Sequence, residues 1–448
     1  MTTEILGLRE ITVNQGKKFL THNDALRQLE GRMVRVIDRD VGTTPATPAE
    51  GDTYIVDQLG GLWSPATIND IAHFFGGIWV FYTPVEGVRL WVNDEDAEVV
   101  YDGAAWVVLS ILASLLDDNV IINGNFDIWQ RGTSFTAVSG VYTADRFRWD
   151  QVGTGVVDIL RSTSVPNNLS DFSLQIDITT ADASIAAADE YIAATNIEGY
   201  DSMRFGFGTS DATQLTLSFS CLSSKTGIHC VSFVNSAANR SYVIEFTIAV
   251  ADTWENFTMT LTADTAGTWL TDSNIGLRVR WTLAAGSDFQ GTPNTWNAAN
   301  NIATSNQVNV MDNVANNFHI SRVELKVGNQ PAIFKRRLFG AELALARRYY
   351  QTFDGSLHGE WNDSAVVELA ARCDPTMRAI PTLVLEDTTP TIGEFGVANR
   401  TGTASTIVAS SIQPDGFMVS IDGFAGATAE NRAVGFNASA IISADSEL

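Results

Sequence analysis

The groups in this 448-residue chain that could bind a metal or move a proton are five histidines, three cysteines and 52 aspartates and glutamates. His22, His73, His229, His319 and His358 contain no i,i+4 pair. Neither HExxH nor Cys-x2-Cys occurs, so a dedicated zinc site is not expected. A GxSxG nucleophile elbow and a GxxxxGK[ST] phosphate loop are also missing. His22 falls at a predicted helix start, where capping or exposure explains it better than catalysis. Carboxylates are plentiful, and a glycosidase needs only two close together. Asp145/Asp150 and Glu245/Glu255 carry no motif, so no catalytic residue is assigned and the chain is expected to be non-enzymatic.

Two sets of side chains suit binding rather than catalysis. Asn123, Asn125 and Asp127 alternate along INGNFDIW, and their oxygens could contribute to a structural calcium site. Turn and strand-edge hydrogen bonding is the alternative. No other cofactor is expected. Trp269 and Trp296 lie in AGTWLTDSN and TPNTWNAANN, among amides and carboxylates. Such an indole can cover the C–H face of a sugar while its neighbours bind hydroxyls. It can equally plug a core.

Cys221, Cys230 and Cys373 are too few for a disulfide framework. They read as buried thiols, with a Cys221–Cys230 cross-strand bridge around the Lys225-Thr226-Gly227 turn as the other reading.

The elements that must hold these residues are mainly β. In residues 1–110, THNDALRQLEGRMVRVIDRD predicts a helix over 22–37, with Thr21 and Asp24 in capping-box spacing. Leu26, Leu29, Met33 and Val36 share one face, which packs either on its own domain or on copies of the chain. Short aromatic strands follow, with Gly-x-Trp or Gly-x-x-Trp steps at Trp63, Trp79 and Trp106; they predict a small β-meander with tryptophan in its core. Residues 111–118 read as a connector.

Residues 119–337 predict a β-sandwich of jelly-roll type. Leu215, Leu217, Phe219 and Cys221 alternate there with Thr216, Ser218 and Ser220. No βαβ periodicity occurs, which argues against a Rossmann-type enzyme. KRRLFGAELALARRYYQTF predicts a linking helix over 338–352, with Leu343, Ala346 and Tyr350 on one face. Residues 353–448 read as a small C-terminal β domain.

The net charge of −24 is shared by residues 1–110, 111–334 and 335–448, at −8, −11 and −5. No segment is basic, so nucleic acid and anionic membrane surfaces are not expected partners. An acidic polysaccharide would need local basic residues or a bridging cation. No apolar run approaches the ~20 residues that span a bilayer. The start lacks a signal pattern, and synthesis in a reducing cytoplasm is expected.

Two blocks carry a resemblance. QGKKFLTHNDALRQLE, PATPAEGDTYIV, GGIWVFYTPVEG and YDGAAWVVL resemble, over residues 5–110, a small domain of unknown function found in phage tail fibres and gene-transfer-agent particles. GGLWSPATINDIAHF departs from that pattern, where a glycine-rich loop is usual. NVIINGNFDIWQRGTSF, YTADRFRW, NRSYVIEFTI, DTWENFTMTL and FHISRVELKVGNQPAIFKRR resemble the carbohydrate-binding-module-like jelly rolls of tail-fibre and receptor-binding proteins.

The resemblance implies a virion fibre or spike protein of a tailed phage or phage-like particle, usually a homotrimer. It would dock to tail, baseplate or head proteins through residues 1–110 and bind host surface polysaccharide through its β domains. It brings no catalytic motif. A purely architectural fibre and a capsular polysaccharide depolymerase are the alternatives.

Overall fold

The computed structural model describes residues 16–33, 35–108, 119–136, 139–167, 169–329, 334–353, 357–362, 365–394, 400–425, 433–436 and 442–448. The chain divides into two compact units, Met1–Asp117 and Asp118–Leu448. The expected connector, residues 111–118, lies outside the described residues.

The first unit holds the helix Lys18–Met33 and two small sheets. The helix begins before His22, so Thr21 is an interior, buried residue rather than a cap. Val36, expected on the helix face, lies instead on the short strand Arg35–Val36. It pairs in parallel with Val92 and is fully buried. Its spacing from Met33 fits a helical stripe, but here the backbone bonds to the Arg89–Val92 edge. Leu26 stays half exposed at 51%, Leu29 is half-buried, and the side chain of Met33 lies outside the described residues.

Trp63, Trp79 and Trp106 of the meander do pack as core, whereas Trp91 is 45% exposed. Trp63 is fully buried and meets Trp79 edge-on with centroids 5.6 Å apart. Buried Trp106 donates its indole N–H to the Asn69 carbonyl at 3.0 Å.

The second unit is built on two facing antiparallel sheets. One runs Trp296–Asn297, Ser241–Ile248, Gly227–Val234, Ile275–Ala285, Glu190–Glu198, Phe147–Val152, Val141–Tyr142 from edge to edge. The other runs Glu255–Leu261, Leu215–Ser223, Asn317–Val327, Ser173–Thr180, Val156–Ser162, Ser134–Thr136. The chain repeatedly crosses from one sheet to the other, as a jelly roll requires. Period-two alternation decides which side chains face inward. Leu215, Leu217, Phe219 and Cys221 enter the shared core, while Ser218 and Ser220 point outward and bond Thr258 and Asn256 on the edge strand. Trp149, Tyr191 and Trp281 fill the core from the opposite sheet. A buried side chain of that size contributes upward of about 2–3 kcal/mol.

The C-terminal residues add a three-stranded sheet, Tyr350–Phe353, Ile442–Asp445, Thr382–Leu385, and a seven-stranded one. These sheets belong to the same compact unit as the sandwich. The helix before them spans Phe339–Arg347, shorter than 338–352. The backbone turns extended at Tyr350, whose strand pairs with Ile442–Asp445.

The seam between helix, C-terminal strand and sandwich is charged and buried. Arg146 is 2% exposed and ion-pairs with Glu447, and its guanidinium lies 3.5 Å from the centroid of the Tyr349 ring. Arg131 reaches Asp445 at 3.0 Å and Glu447 at 3.3 Å. The Tyr349 hydroxyl donates to Glu198 at 2.8 Å. Arg378 donates to the carbonyls of Ser446 and Glu447.

Cys221 and Cys230 sit on strands of opposite sheets, which excludes the cross-strand bridge; all three thiols are free and buried. The Lys225–Gly227 turn crosses between sheets and does not close a hairpin. Burial pushes the Cys230 and Cys373 thiols up to about 11, and Cys221 well above its usual range. Little reactive thiolate exists at neutral pH. Ellman's reagent is therefore expected to leave the native chain unlabelled and to count three thiols in denaturant. Rapid native labelling would contradict this burial.

Candidate functional site

The large sheet of the sandwich has an outer face as well as a core face. Part of it is covered. The segment after Ala285 folds back over it and buries Ile302 against Ile192, Ala194 and Val234. The Thr282 hydroxyl fixes that segment by donating to the Ile302 carbonyl at 2.8 Å. Gly286 permits the turn, because a Cβ there would stand 1.9 Å from the Ala186 carbonyl oxygen. Towards the other edge the tail returns, and the Leu448 carbonyl accepts from Tyr142 at 2.6 Å and from Asn196 at 3.0 Å.

Between these covers lies an open groove of about 280 Å³. It is lined chiefly by Arg148, Asp150, Glu190, Asn196, Arg278 and Arg280. Its volume is near the lower end of the ~300–1,000 Å³ typical of ligand pockets. Strand register builds it. Arg148 and Arg280 flank Ala194 in one cross-strand row, and Arg278 pairs with Asn196 in another.

The charges are unevenly paired. Arg148 donates twice to Asp150, at 2.5 and 3.1 Å. Arg278 donates to the backbone carbonyls of Asn235 and Ser236, at 2.5 and 2.8 Å. Arg280 donates to the Asn300 side chain at 3.1 Å. The Nε of Arg280 and the Oε2 of Glu190 are buried without a hydrogen-bond partner. Burial, with help from Arg280 and Arg148, pushes Arg278 down to about 10. Burial also raises the Glu190 carboxyl, with Arg280 opposing.

The residues singled out in the sequence have other surroundings. Trp269 and Trp296 do come together, with centroids 5.5 Å apart, and both meet Phe207 edge-on. Their indole N–H groups donate inward: Trp269 to Asp264 and the Ala266 carbonyl, Trp296 to the Thr262 carbonyl. The half-buried pair packs against the sandwich core as a plug.

Asn123, Asn125 and Asp127 do not converge on a cation. Asn123 is buried at positive φ; its side chain donates to the carbonyls of Ile128 and Asp145 and accepts the N–H of Ile128. Asn125 accepts from Ser170, and Asp127 takes a bidentate pair from Arg336. The turn also brings Gly124 against Val323, where a Cβ would sit 2.1 Å from the carbonyl oxygen. INGNFDIW is therefore a turn motif here, and the calcium reading is withdrawn.

The two carboxylate pairs also separate. Asp145 is buried beside Gln130 and Arg131, whereas Asp150 lines the groove. Glu245 accepts from Thr304 and Asn306, and Glu255 from backbone N–H groups. Among the described residues, one acidic trio, Asp38, Asp40 and Asp94, lies on the first unit within 4.8 Å, and nothing beyond its acidity marks a cation.

Sequence reading missed Arg148, Arg278, Arg280 and Glu190. The usable signal was LRVRW, where arginine takes the outward positions between Leu277, Val279 and Trp281.

Residues 22–107 match the family described as "Protein of unknown function (DUF2793)". No curated protein matches the chain. Similar solved structures include the enzymatically active domain of bacteriophage CBA120 tailspike protein 4, at 13% identity and TM-score 0.27, over 47% of this chain and 21% of that one. The N-terminal cellulose-binding domain of Cellulomonas fimi β-1,4-glucanase C matches at 11% identity and TM-score 0.23, over 46% and 95%. A family 11 carbohydrate-binding module of Clostridium thermocellum, in complex with a β-1,3-1,4-mixed-linked tetrasaccharide, matches at 8% and 0.23, over 43% and 95%. At this level of likeness, the functional reading rests on the chain's own residues.

Proposed function

We propose that the chain is a glycan-binding adhesin, carried as a fibre or spike protein by a tailed phage or phage-like particle. The observation that carries the binding part is the polar, arginine-lined groove on the open face of the large sheet. It is concave, partly preformed and lined by groups that recognise hydroxyls and acids. The particle part is supported by the residue blocks quoted above.

In this reading the first unit docks the chain, and half-exposed Leu20 and Leu26 on its helix are available to a neighbour. A homotrimer would multiply weak sites into avid binding. The purified chain should bind host cells and an array of bacterial surface glycans, and should compete with particle adsorption. Light scattering should give three times 48.5 kDa. No binding to host envelope or to any arrayed glycan would overturn the adhesin reading and favour an architectural fibre.

One observation favours a second reading, a polysaccharide depolymerase. The groove holds two carboxylates, Asp150 and Glu190, and burial raises Glu190 in the direction a general acid requires. Reducing ends released from host capsule, and lost in Glu190→Gln, would establish it; intact capsule after long incubation would dismiss it.

A further inference from the structure

We propose that the groove takes a sugar bearing a single carboxylate, a uronic or ulosonic acid unit, with Arg278 and Arg280 reading the acid. This rests on the glycan-binding reading and narrows it to a ligand class. The groove's side-chain charges are three arginines against Asp150 and Glu190. Arg148 and Asp150 satisfy each other. Glu190 offsets one of the other two cations through space, leaving a surplus of one positive side-chain charge.

Among the described residues, no carboxylate stands within ion-pair distance, 4.0 Å, of Arg278 or Arg280. That is unusual for guanidinium groups on the central strand of a large sheet, where lost hydration must be offset. A carboxylate matches the guanidinium fork, and it would also give the buried Nε of Arg280 an acceptor. A sugar hydroxyl would give the unpartnered Oε2 of Glu190 a donor. Half-buried Ile275 offers apolar contact to a ring's C–H face. The volume holds one or two rings.

The remaining surface narrows the class further. A chain of net charge −24 repels a dense polyanion at long range, whereas the groove attracts at contact. An isolated acidic sugar in a mostly neutral polymer suits both conditions. The local basic residues that an acidic polysaccharide requires are thus present, on the two strands that flank Glu190–Glu198.

The test is titration calorimetry or ligand-observed NMR on the full chain. The probes are the methyl glycosides of glucuronic, galacturonic and N-acetylneuraminic acids, against methyl glucoside and methyl galactoside. At least one acid should bind about ten- to a hundredfold more tightly than the neutral sugars. The preference should shrink with added salt. Arg278→Gln should bring the acid-to-neutral ratio close to one, and Arg278→Lys should keep part of it. Arg278 is only half-buried, so these variants should fold, which circular dichroism will check. The comparison in the unaltered chain needs no variant. Neutral sugars binding as well as every acid would overturn this inference and leave the adhesin reading standing. Binding of neither class, with a silent glycan array, would overturn both.

Discussion

Replacing Glu447 with alanine is expected to cost the second unit about 3–5 kcal/mol, the range for orphaning one partner of a buried ion pair. Arg146 would keep its charge in a site where it is 2% exposed. Its remaining contacts, the Asn196 carbonyl and the Tyr349 ring, carry no full negative charge. Arg131 would lose one of its carboxylates as well, keeping Asp445 at 3.0 Å and Asp145 at 3.7 Å. The readout is the denaturant midpoint at unchanged slope. Glu95→Ala in the first unit is the control, because its pair with Arg39 is about a quarter exposed on both sides and should be worth ~1 kcal/mol or less. Equal small losses in both variants would mean that water reaches Arg146. The double change Arg146→Met with Glu447→Met should recover part of the loss by removing the orphaned charge.

Acidification from pH 6.5 to 4 should destabilise the second unit through two histidines. His229 and His319 are buried in the sandwich, and burial lowers both to about 4, with Asp177 and Asp252 opposing at His319. The folded chain keeps them neutral, while the unfolded chain protonates them near the ordinary ~6.5. Their contribution is fully present above pH 6.5. It falls as the pH drops to 4 and levels off once the folded form also takes up the protons. The scale is about 3 kcal/mol for each.

Asp145 and Glu190, both raised by burial, work in the opposite sense at acid pH. The difference between variant and unaltered chain is therefore the cleaner measurement. His229→Phe should suit the packing beside Phe246 and Phe318 and should flatten the melting temperature across this window. A pH profile parallel to that of the unaltered chain would sink the assignment.

Much of the β architecture was legible because one face of each strand is buried. Leu215, Leu217, Phe219 and Cys221 read as a core face and are one. One error and one discarded alternative share a cause. Val36 continues the helical spacing of Met33, and Cys221 and Cys230 flank a turn that suits a hairpin. Local pattern could not reveal that Val36 has a strand partner at Val92, or that the turn at Lys225 changes sheets. Asn123 looked like a ligand because an amide oxygen and a turn-forming amide read alike in sequence; only its three bonds to backbone separate the two roles.

The groove was the least legible feature. Arg148 and Arg280 lie 132 positions apart in the numbering and meet only through the register that puts both opposite Ala194. An outward arginine on a strand is ordinary until its cross-strand neighbours are known.

The strand that closes the seam also acts as a latch. Ile442–Asp445 is the middle strand of its sheet, and Glu447 is the counter-charge of Arg146. Pulling residues 442–448 away would part the two outer strands of that sheet and leave a buried guanidinium with no anion in the sandwich. Local opening of this short segment therefore carries a penalty in two places at once, which ties the small sheet and the sandwich into one cooperative transition.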